Sequence, residues 1–207
     1  MGIAERKKRD KMERHQAILD AAQHLFIEQG FEKVSMRNIA DAIEYSPATI
    51  YLYFKDKSEL LFALQNQAFG RLAQEFESVF TIQHPAERLS AIGHKYLAFA
   101  FEHPELFELM FVMNGPMEAV QARGEAQPWA SGRAAFDRVV RVMQDGIDAG
   151  VFHSSDAEVA AMMVWAQVHG LAALFLSKRL MIFSEERRQT IMEEAMNLFN
   201  QVLHHGL

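Results

Sequence analysis

Apolar residues recur at every third or fourth position along most of the chain, as they do on one face of an α-helix. The first such stretch runs from Asp10 to Gln29 and is followed by Gly30, a residue suited to ending a helix. No run of alternating β-branched residues indicates a strand. The pattern therefore predicts an all-α protein.

Two short helices are predicted after this first one. Ser35 is a suitable N-cap for a helix from Met36 to about Ile43, and Ser46 followed by Pro47 begins another that ends near Phe54. Two short helices joined by a tight turn behind a longer supporting helix form a helix-turn-helix arrangement.

The same periodicity predicts six longer helices downstream, which brings the total to about nine. They span Lys57 to Phe80, Pro85 to Glu102, Pro104 to Met113, Trp129 to Ala149, Asp156 to Ser177 and Glu185 to His204. Between the third and fourth of them, the segment from Asn114 to Pro128 contains two Gly and two Pro residues. It is predicted to be a loop with at most one helical turn.

Charge is distributed unevenly along the chain. The net charge is −6, but the first 60 residues carry 10 basic and 10 acidic side chains, whereas the remainder carries 11 and 17. The acidity thus lies in the C-terminal three quarters, so the first part remains compatible with a phosphate-rich partner.

The N-terminus and the apolar passages bear on the cellular location. Residues 1–14 carry six Lys or Arg and lack the apolar stretch of a secretion signal. Trp165 to Leu176 and Tyr96 to Phe101 fall short of the roughly 20 apolar residues that cross a bilayer. A soluble, cytoplasmic protein without a membrane partner is expected.

Recognisable catalytic and metal-binding motifs are absent from the sequence. There is no cysteine, no His-Glu-x-x-His pair, no Gly-rich phosphate loop and no serine nucleophile motif. The chain is therefore predicted not to be an enzyme, and neither a cofactor nor a metal is expected.

The segment from Ile39 to Leu61 reads IADAIEYSPATIYLYFKDKSELL and closely resembles the DNA-binding signature of the TetR family of repressors. The resemblance extends upstream to about Arg14. It implies a helix-turn-helix domain with a basic N-terminal tail over residues 1–56. A ligand-binding and dimerisation domain would then occupy residues 57–207.

Residue chemistry agrees with this resemblance, because a recognition helix needs compact polar side chains near bases and hydroxyls or cations near phosphates. The resemblance implies that Pro47, Ala48 and Thr49 face bases, whereas Tyr51, Tyr53 and Lys57 bind phosphates. The predicted DNA-binding residues are Ser35, Arg37, Ser46, Pro47, Ala48, Thr49, Tyr51, Tyr53 and Lys57.

Two alternatives remain open in this region. Tyr51 and Tyr53 either contact DNA or pack within the small helical bundle, as Phe54 is expected to do. The basic run Arg6-Lys7-Lys8-Arg9-Lys11 either becomes ordered in a minor groove or is a solvated tail.

Three positions depart from the family pattern. Glu44 replaces a Gly in the turn, Tyr45 replaces a small aliphatic residue, and Ala48 replaces a second Gly. Glu44 would be strained if its φ is positive. The Ala48 methyl group is able to contact a thymine methyl group and so shift the preferred operator.

Further along, Trp165-Ala166-Gln167-Val168-His169-Gly170-Leu171 resembles the Trp, His and Gly motif of one C-terminal subgroup of the family. Aromatic and Met side chains are abundant here, as in an apolar ligand pocket. The predicted effector-binding residues are Tyr96, Phe99, Met110, Phe111, Met113, Trp129, Phe136, Met143, Trp165 and His169. For each of them, including His169, an ordinary place in the core is the alternative.

The last two predicted helices resemble the four-helix dimer interface of the family, with two helices from each subunit. Their predicted interface residues are Met162, Ala166, Gly170, Ala173, Ile191, Ala195, Leu198, Phe199 and Val202. A dimer would read two half-sites about 34 to 36 Å apart.

The resemblance thus implies a repressor that binds a palindromic double-stranded DNA operator as a homodimer and is released by a small apolar or amphipathic effector. An activator with the same fold would have the same sequence features. The alternative from another class is a small-molecule-binding helical scaffold without specific DNA binding.

Overall fold

The structure is a computed structural model that describes residues 2–123 and 129–206. These residues form ten α-helices and two 3-10 helices, and the described ranges contain no strand. The all-α prediction is confirmed. The α-helices are α1 Ile3–Gln29, α2 Met36–Ala42, α3 Pro47–Tyr51, α4 Lys57–Glu77, α5 Pro85–Glu102, α6 Pro104–Phe111, α7 Gly115–Arg123, α8 Ala130–Asp148, α9 Ala157–Leu176 and α10 Glu185–Gly206; the 3-10 helices are Ser78–Thr81 and Arg179–Ile182.

The helix α7 corrects the sequence prediction of a loop over Asn114 to Pro128. Pro116 occupies the first turn, where a missing N–H costs nothing, and the Asn114 carbonyl accepts hydrogen bonds from the N–H groups of Met117 and Glu118. Mostly good helix formers follow. Gly115 and Pro116 therefore begin this helix and do not prevent it. The rest of the predicted loop, residues 124–128, lies outside the described residues.

The basic N-terminal segment also differs from its prediction as a tail, because α1 begins at Ile3 rather than Asp10. The Glu5 carboxylate accepts a 2.9 Å hydrogen bond from the Gly2 N–H and so caps this end. Two other helices end earlier than predicted, α3 at Tyr51 and α4 at Glu77.

The chain divides into two compact units. The N-terminal unit comprises Met1–Ala68 and Glu105–Pro128, and the C-terminal unit comprises Phe69–Pro104 and Trp129–Leu207. By packing, α6 and α7 thus belong with the helix-turn-helix rather than with the rest of residues 57–207. The functional boundary after Asp56 stays a prediction.

Each unit has its own apolar core. In the N-terminal unit, Ile18, Leu19, Ile39, Ile50 and Leu60 are fully buried. In the C-terminal unit, α5, α8 and α9 pack against one another. The buried residues there include Val142, Met143, Ala161 and Ala172.

One helix of the described chain, α9, is long and apolar enough to cross a membrane by length and composition, with a mean hydropathy of 1.8. The sequence prediction concerned two shorter passages, Trp165 to Leu176 and Tyr96 to Phe101. It considered only unbroken apolar passages, whereas Ala157–Leu176 combines several of them around Gln167 and His169.

Candidate nucleic-acid interface and effector site

Local hydrogen bonds position the two short helices α2 and α3. The Ser35 hydroxyl accepts from the Asn38 N–H at 3.2 Å, and the Asn38 side-chain oxygen accepts from the Ser35 N–H at 2.9 Å. This reciprocal pair is a capping box. Ser46 caps α3 with one bond of this kind, since its hydroxyl accepts from the Thr49 N–H at 3.2 Å.

The turn between α2 and α3 is closed by backbone hydrogen bonds. The Tyr45 N–H donates to the Ala40 carbonyl at 2.9 Å, and the Glu44 N–H donates to the Asp41 carbonyl at 3.3 Å. Glu44 has a φ of 57°, in the left-handed region that favours glycine. The condition under which strain was expected at Glu44 is therefore met.

Most of the predicted DNA-binding residues lie on the surface of the N-terminal unit. Ser35, Arg37, Ser46, Pro47 and Ala48 are exposed, and Tyr51 is 55% exposed. Thr49 is half-buried, and its hydroxyl lies 2.9 Å from the Ser46 hydroxyl. Together these side chains form a polar surface on and beside α3.

Tyr53 and Lys57, unlike the exposed residues of this surface, contact other residues of the N-terminal unit. The Tyr53 ring is half-buried, with its centroid 6.4 Å from that of His15. The Lys57 ammonium donates to the Phe31 carbonyl and lies 5.7 Å from the Phe26 ring centroid. An ammonium has three N–H donors, so this arrangement leaves Lys57 able to bind a phosphate as well.

The neighbouring aromatic residues belong to the core. Phe54 is 2% exposed and lies 4.7 Å from the His15 ring, as expected for a packing residue. The pKa of His15 is lowered by burial and by the nearby Lys11.

The basic side chains Arg6, Lys7, Lys8, Arg9 and Lys11 are all exposed along the first turns of α1.

One exposed residue of this surface is missing from the predicted contacts. Leu52, the C-cap of α3, is 80% exposed. The signal was present in the sequence, because Leu52 lies two positions after the buried Ile50 and so points to nearly the opposite side of the helix.

In the C-terminal unit, three predicted effector-binding residues form a hydrogen-bonded group. The Tyr96 hydroxyl lies 2.7 Å from His169 Nδ1 and is also hydrogen-bonded to Trp165. The indole is only a donor, so the phenol oxygen accepts from it. The donor of the bond between the phenol and the imidazole Nδ1 is set by the tautomer of His169. Burial raises the pKa of Tyr96 and lowers the pKa of His169.

The other predicted effector residues of this unit are aromatic or thioether groups. The Phe136 ring lies 6.0 Å from that of Trp165, and the Trp129 ring lies 5.1 Å from that of Phe69. Phe99 is 7% exposed and Met143 is fully buried. Phe99 and Met143 belong to the core, whereas Trp129 and Phe136 are half-buried. A ligand role for all four stays a prediction.

Three predicted effector residues lie instead in the N-terminal unit. Met110 is 2% exposed, whereas Phe111 and Met113 are half-buried. Beside them, the fully buried Gln65 donates from Nε2 to the Met110 carbonyl at 3.1 Å and to the Leu109 carbonyl at 3.5 Å. Sequence reasoning missed this buried amide, which ties α4 to the end of α6.

A groove of about 540 Å³ lies between α5 and α10 of the C-terminal unit and is open to solvent. It is lined by Ala86, Glu87, Ser90, Ala91, His94, Lys95 and Asn200. None of these was predicted to bind the effector. Across the described residues, no cluster of His, Cys or acidic side chains is arranged to hold a metal.

The predicted interface helices display apolar side chains to solvent. On α9, Val159, Met162 and Met163 are 57%, 49% and 53% exposed. On α10, Leu198 and Val202 are 62% and 52% exposed. The other predicted interface residues are exposed or half-buried: Ala166, Gly170, Ala173, Ile191, Ala195 and Phe199.

A capped helix-turn-helix with an exposed polar surface defines a DNA-binding protein of the regulator class. Two family models match the chain. Residues 18–64 match bacterial regulatory proteins of the tetR family, and residues 89–199 match the tetracyclin repressor-like C-terminal domain. The chain belongs to the TetR family of transcriptional regulators, whose members bind DNA through this helix-turn-helix and ligands through the C-terminal domain.

A curated relative agrees with this assignment, and the solved structures share the fold. The HTH-type transcriptional regulator AcrR of Shigella flexneri is 34% identical over 93 residues, which are 44% of this chain and 41% of AcrR. A Rhodococcus sp. RHA1 structure of unknown function is 26% identical with a TM-score of 0.76 and covers 93% of this chain and 94% of its own. FadR from Bacillus subtilis, solved in complex with stearoyl-CoA, is 17% identical with a TM-score of 0.69 over 93% of this chain and 98% of FadR, and shows the shared fold alone.

The alignments with the curated relatives are partial. They span between 38% and 63% of the lengths of those relatives. The family of transcriptional regulators is generally not enzymatic. Assignment to the Trp, His and Gly subgroup stays a prediction.

Proposed function

We propose that this protein is a repressor that binds a palindromic operator as a homodimer and releases it when a small apolar or amphipathic molecule binds. The observation that carries the proposal is the exposed polar surface around α3 in a chain that matches TetR-family models in both its N-terminal and C-terminal parts. In this proposal Pro47, Ala48 and Thr49 read bases. Ser35, Arg37, Ser46, Tyr51, Tyr53 and Lys57 fix the recognition helix on the phosphate backbone or the groove edge.

The homodimer is supported by the apolar surface of α9 and α10. Isolated exposed apolar residues are common, but Met162, Leu198 and Val202 are each about half exposed or more and share helical faces with small residues. Pairing of these helices with a second copy would remove this surface from water. Burial in such a dimer interface would also explain why α9 is as apolar as a membrane-spanning helix in a protein that is proposed to be a cytoplasmic regulator.

The effector is proposed to bind among the aromatic residues of the C-terminal domain. Tyr96, Trp165 and His169 provide a polar group within apolar surroundings, which is the usual composition of a small-molecule site. The stearoyl-CoA complex of FadR involves an amphipathic acyl compound and the same fold. It therefore supports an amphipathic ligand for this chain as well.

Release requires coupling between the two binding events. The helix α4 contributes Lys57 at its start to the N-terminal unit and Phe69 to Glu77 to the C-terminal unit. Movement of this continuous helix is the proposed route. A ligand that binds the released state better by about 1.4 kcal/mol lowers DNA affinity tenfold.

Selection from a random duplex DNA library at fixed, moderate salt tests the proposal. The purified protein is expected to retain a palindromic sequence, and the enriched duplex then serves to screen amphipathic compounds for release. Retention without an enriched sequence would contradict the proposal and favour the ligand-binding scaffold. The charge-reducing variant Arg37→Ala is expected to weaken the enrichment, whereas Arg187→Ala on α10 is the matched control.

A further inference from the structure

The centre of the outward face of the recognition helix α3 is apolar. Ile50 is fully buried and fixes the side of α3 that packs on the N-terminal unit. Successive residues of a helix are rotated by about 100°, so the side opposite Ile50 lies midway between Ala48 and Leu52. Ala48 is exposed, and Leu52 is 80% exposed.

Polar residues flank this apolar pair on both sides. Thr49 lies on one side with its hydroxyl against Ser46, and Tyr51 lies on the other and is 55% exposed. A face directed at DNA is therefore made of two apolar side chains between two hydroxyls. The hydroxyls suit phosphate or base-edge hydrogen bonds, but the apolar pair does not.

The major groove offers one apolar group to such a pair, the C5-methyl group of thymine. We propose that Leu52, together with Ala48, reads thymine methyl groups and thereby sets the base preference of this protein. Positions four residues apart are separated by about 6 Å along a helix, which corresponds to roughly two base-pair steps. The two side chains thus reach thymines at one or two neighbouring positions of each half-site.

A protein partner on this patch fits the structure less well. A stable interface buries about 800 Å² on each side, and a single leucine with one alanine between hydroxyl groups supplies only a small part of this area. The patch lies on α3, the recognition helix of a DNA-binding family, and this location favours DNA as the partner. The inference rests on the proposed operator binding and specifies which chemical group of the operator is read.

The test replaces single thymines of the enriched operator by deoxyuridine, which removes the methyl group and leaves the hydrogen-bonding edge unchanged. Loss of one buried methyl contact is expected to weaken binding about three- to fivefold at one or two positions of each half-site. Binding is measured by equilibrium titration at one fixed salt concentration. Thymines outside the half-sites are the internal control.

The variant Leu52→Ala identifies the residue responsible. It is expected to bind thymine and deoxyuridine duplexes with similar affinity at the sensitive position, while its thermal unfolding matches that of the unchanged protein. Ile182→Ala, at a residue that is 82% exposed, is the matched control and should keep the discrimination. Ala48→Gly is expected to remove the discrimination at the neighbouring position.

Three results would overturn the inference and leave the proposed operator binding intact. They are an enriched half-site without thymine, thymine positions that tolerate deoxyuridine, and full discrimination retained by both Leu52→Ala and Ala48→Gly. Failure of the library selection to enrich any sequence would instead overturn the proposed function together with this inference.

Discussion

The helix-turn-helix surface and the aromatic group of the C-terminal unit use polar side chains in opposite ways. Around α3, Ser46 and Thr49 bond each other at the surface and still face solvent. In the C-terminal unit, Tyr96 and His169 bond each other within apolar surroundings. The surface site is therefore separable from folding, whereas the buried residues, which are proposed to bind the effector, also contribute to stability.

The largest expected contrast is between two truncations of apolar side chains. Met143→Ala removes a fully buried side chain and is expected to lower the free energy of unfolding by about 2 to 5 kcal/mol. Leu52→Ala, at an 80% exposed residue, is expected to change it by no more than about 0.5 kcal/mol. Urea unfolding measures both, and similar losses for the two variants would contradict the contrast.

Gln65 sharpens the comparison, because it is a buried polar residue of the N-terminal unit. Gln65→Ala removes the donor to the Leu109 and Met110 carbonyls and is expected to cost about 1 to 3 kcal/mol. Gln74→Ala, on the exposed side of the same helix, is the control and should have little effect. Equal urea midpoints for the two variants would show that the buried amide does not stabilise α6.

The pH dependence of stability tests the buried polar group. The unfolded chain protonates His169 near the ordinary pKa of 6.5, whereas burial lowers the pKa in the folded chain. The unfolded state then binds more protons, so the free energy of unfolding falls as the pH drops below about 6.5. Urea unfolding at pH 7.5 and 5.5 measures this, and His169→Gln should reduce the fall; an unchanged pH dependence would show that His169 titrates alike in both states.

The smallest expected effect is a gain at the turn. Glu44→Gly relieves a positive φ and is expected to raise the free energy of unfolding by about 0.5 to 1 kcal/mol. Lys178→Gly, at a φ of 59° in the C-terminal unit, should give a similar gain. Asp41→Gly, within α2, is the control and should be destabilising; thermal unfolding distinguishes the three.

The sequence was most informative where structure is set locally. The caps at Ser35 and Ser46 and the buried Phe54 follow from neighbouring residues, and the structure confirms each. Glu44 has the positive φ under which strain was expected. The helix α7 was missed because a Pro in the first turn does not break a helix.

Contacts between residues that are far apart in the sequence were harder to predict. The spacing of Gln65 on α4 does not indicate that its amide meets the carbonyls of Leu109 and Met110, 44 and 45 residues away. The pairing of Tyr96 with His169 likewise depends on how α5 packs on α9. Residue type suggested an effector site, but the partners of each polar atom required the fold.

The affinity for a full palindrome compared with a single half-site tests the central claim most directly. Both duplexes come from the enriched operator and are titrated at one salt concentration, alongside the double variant Met162→Asp/Leu198→Asp and the control Val112→Asp, an exposed residue of the N-terminal unit. The account predicts that the unchanged protein and the control bind the palindrome at least tenfold more tightly, whereas the double variant is monomeric and loses this preference. Equal affinity of the unchanged protein for the two duplexes would contradict a dimer that reads two half-sites.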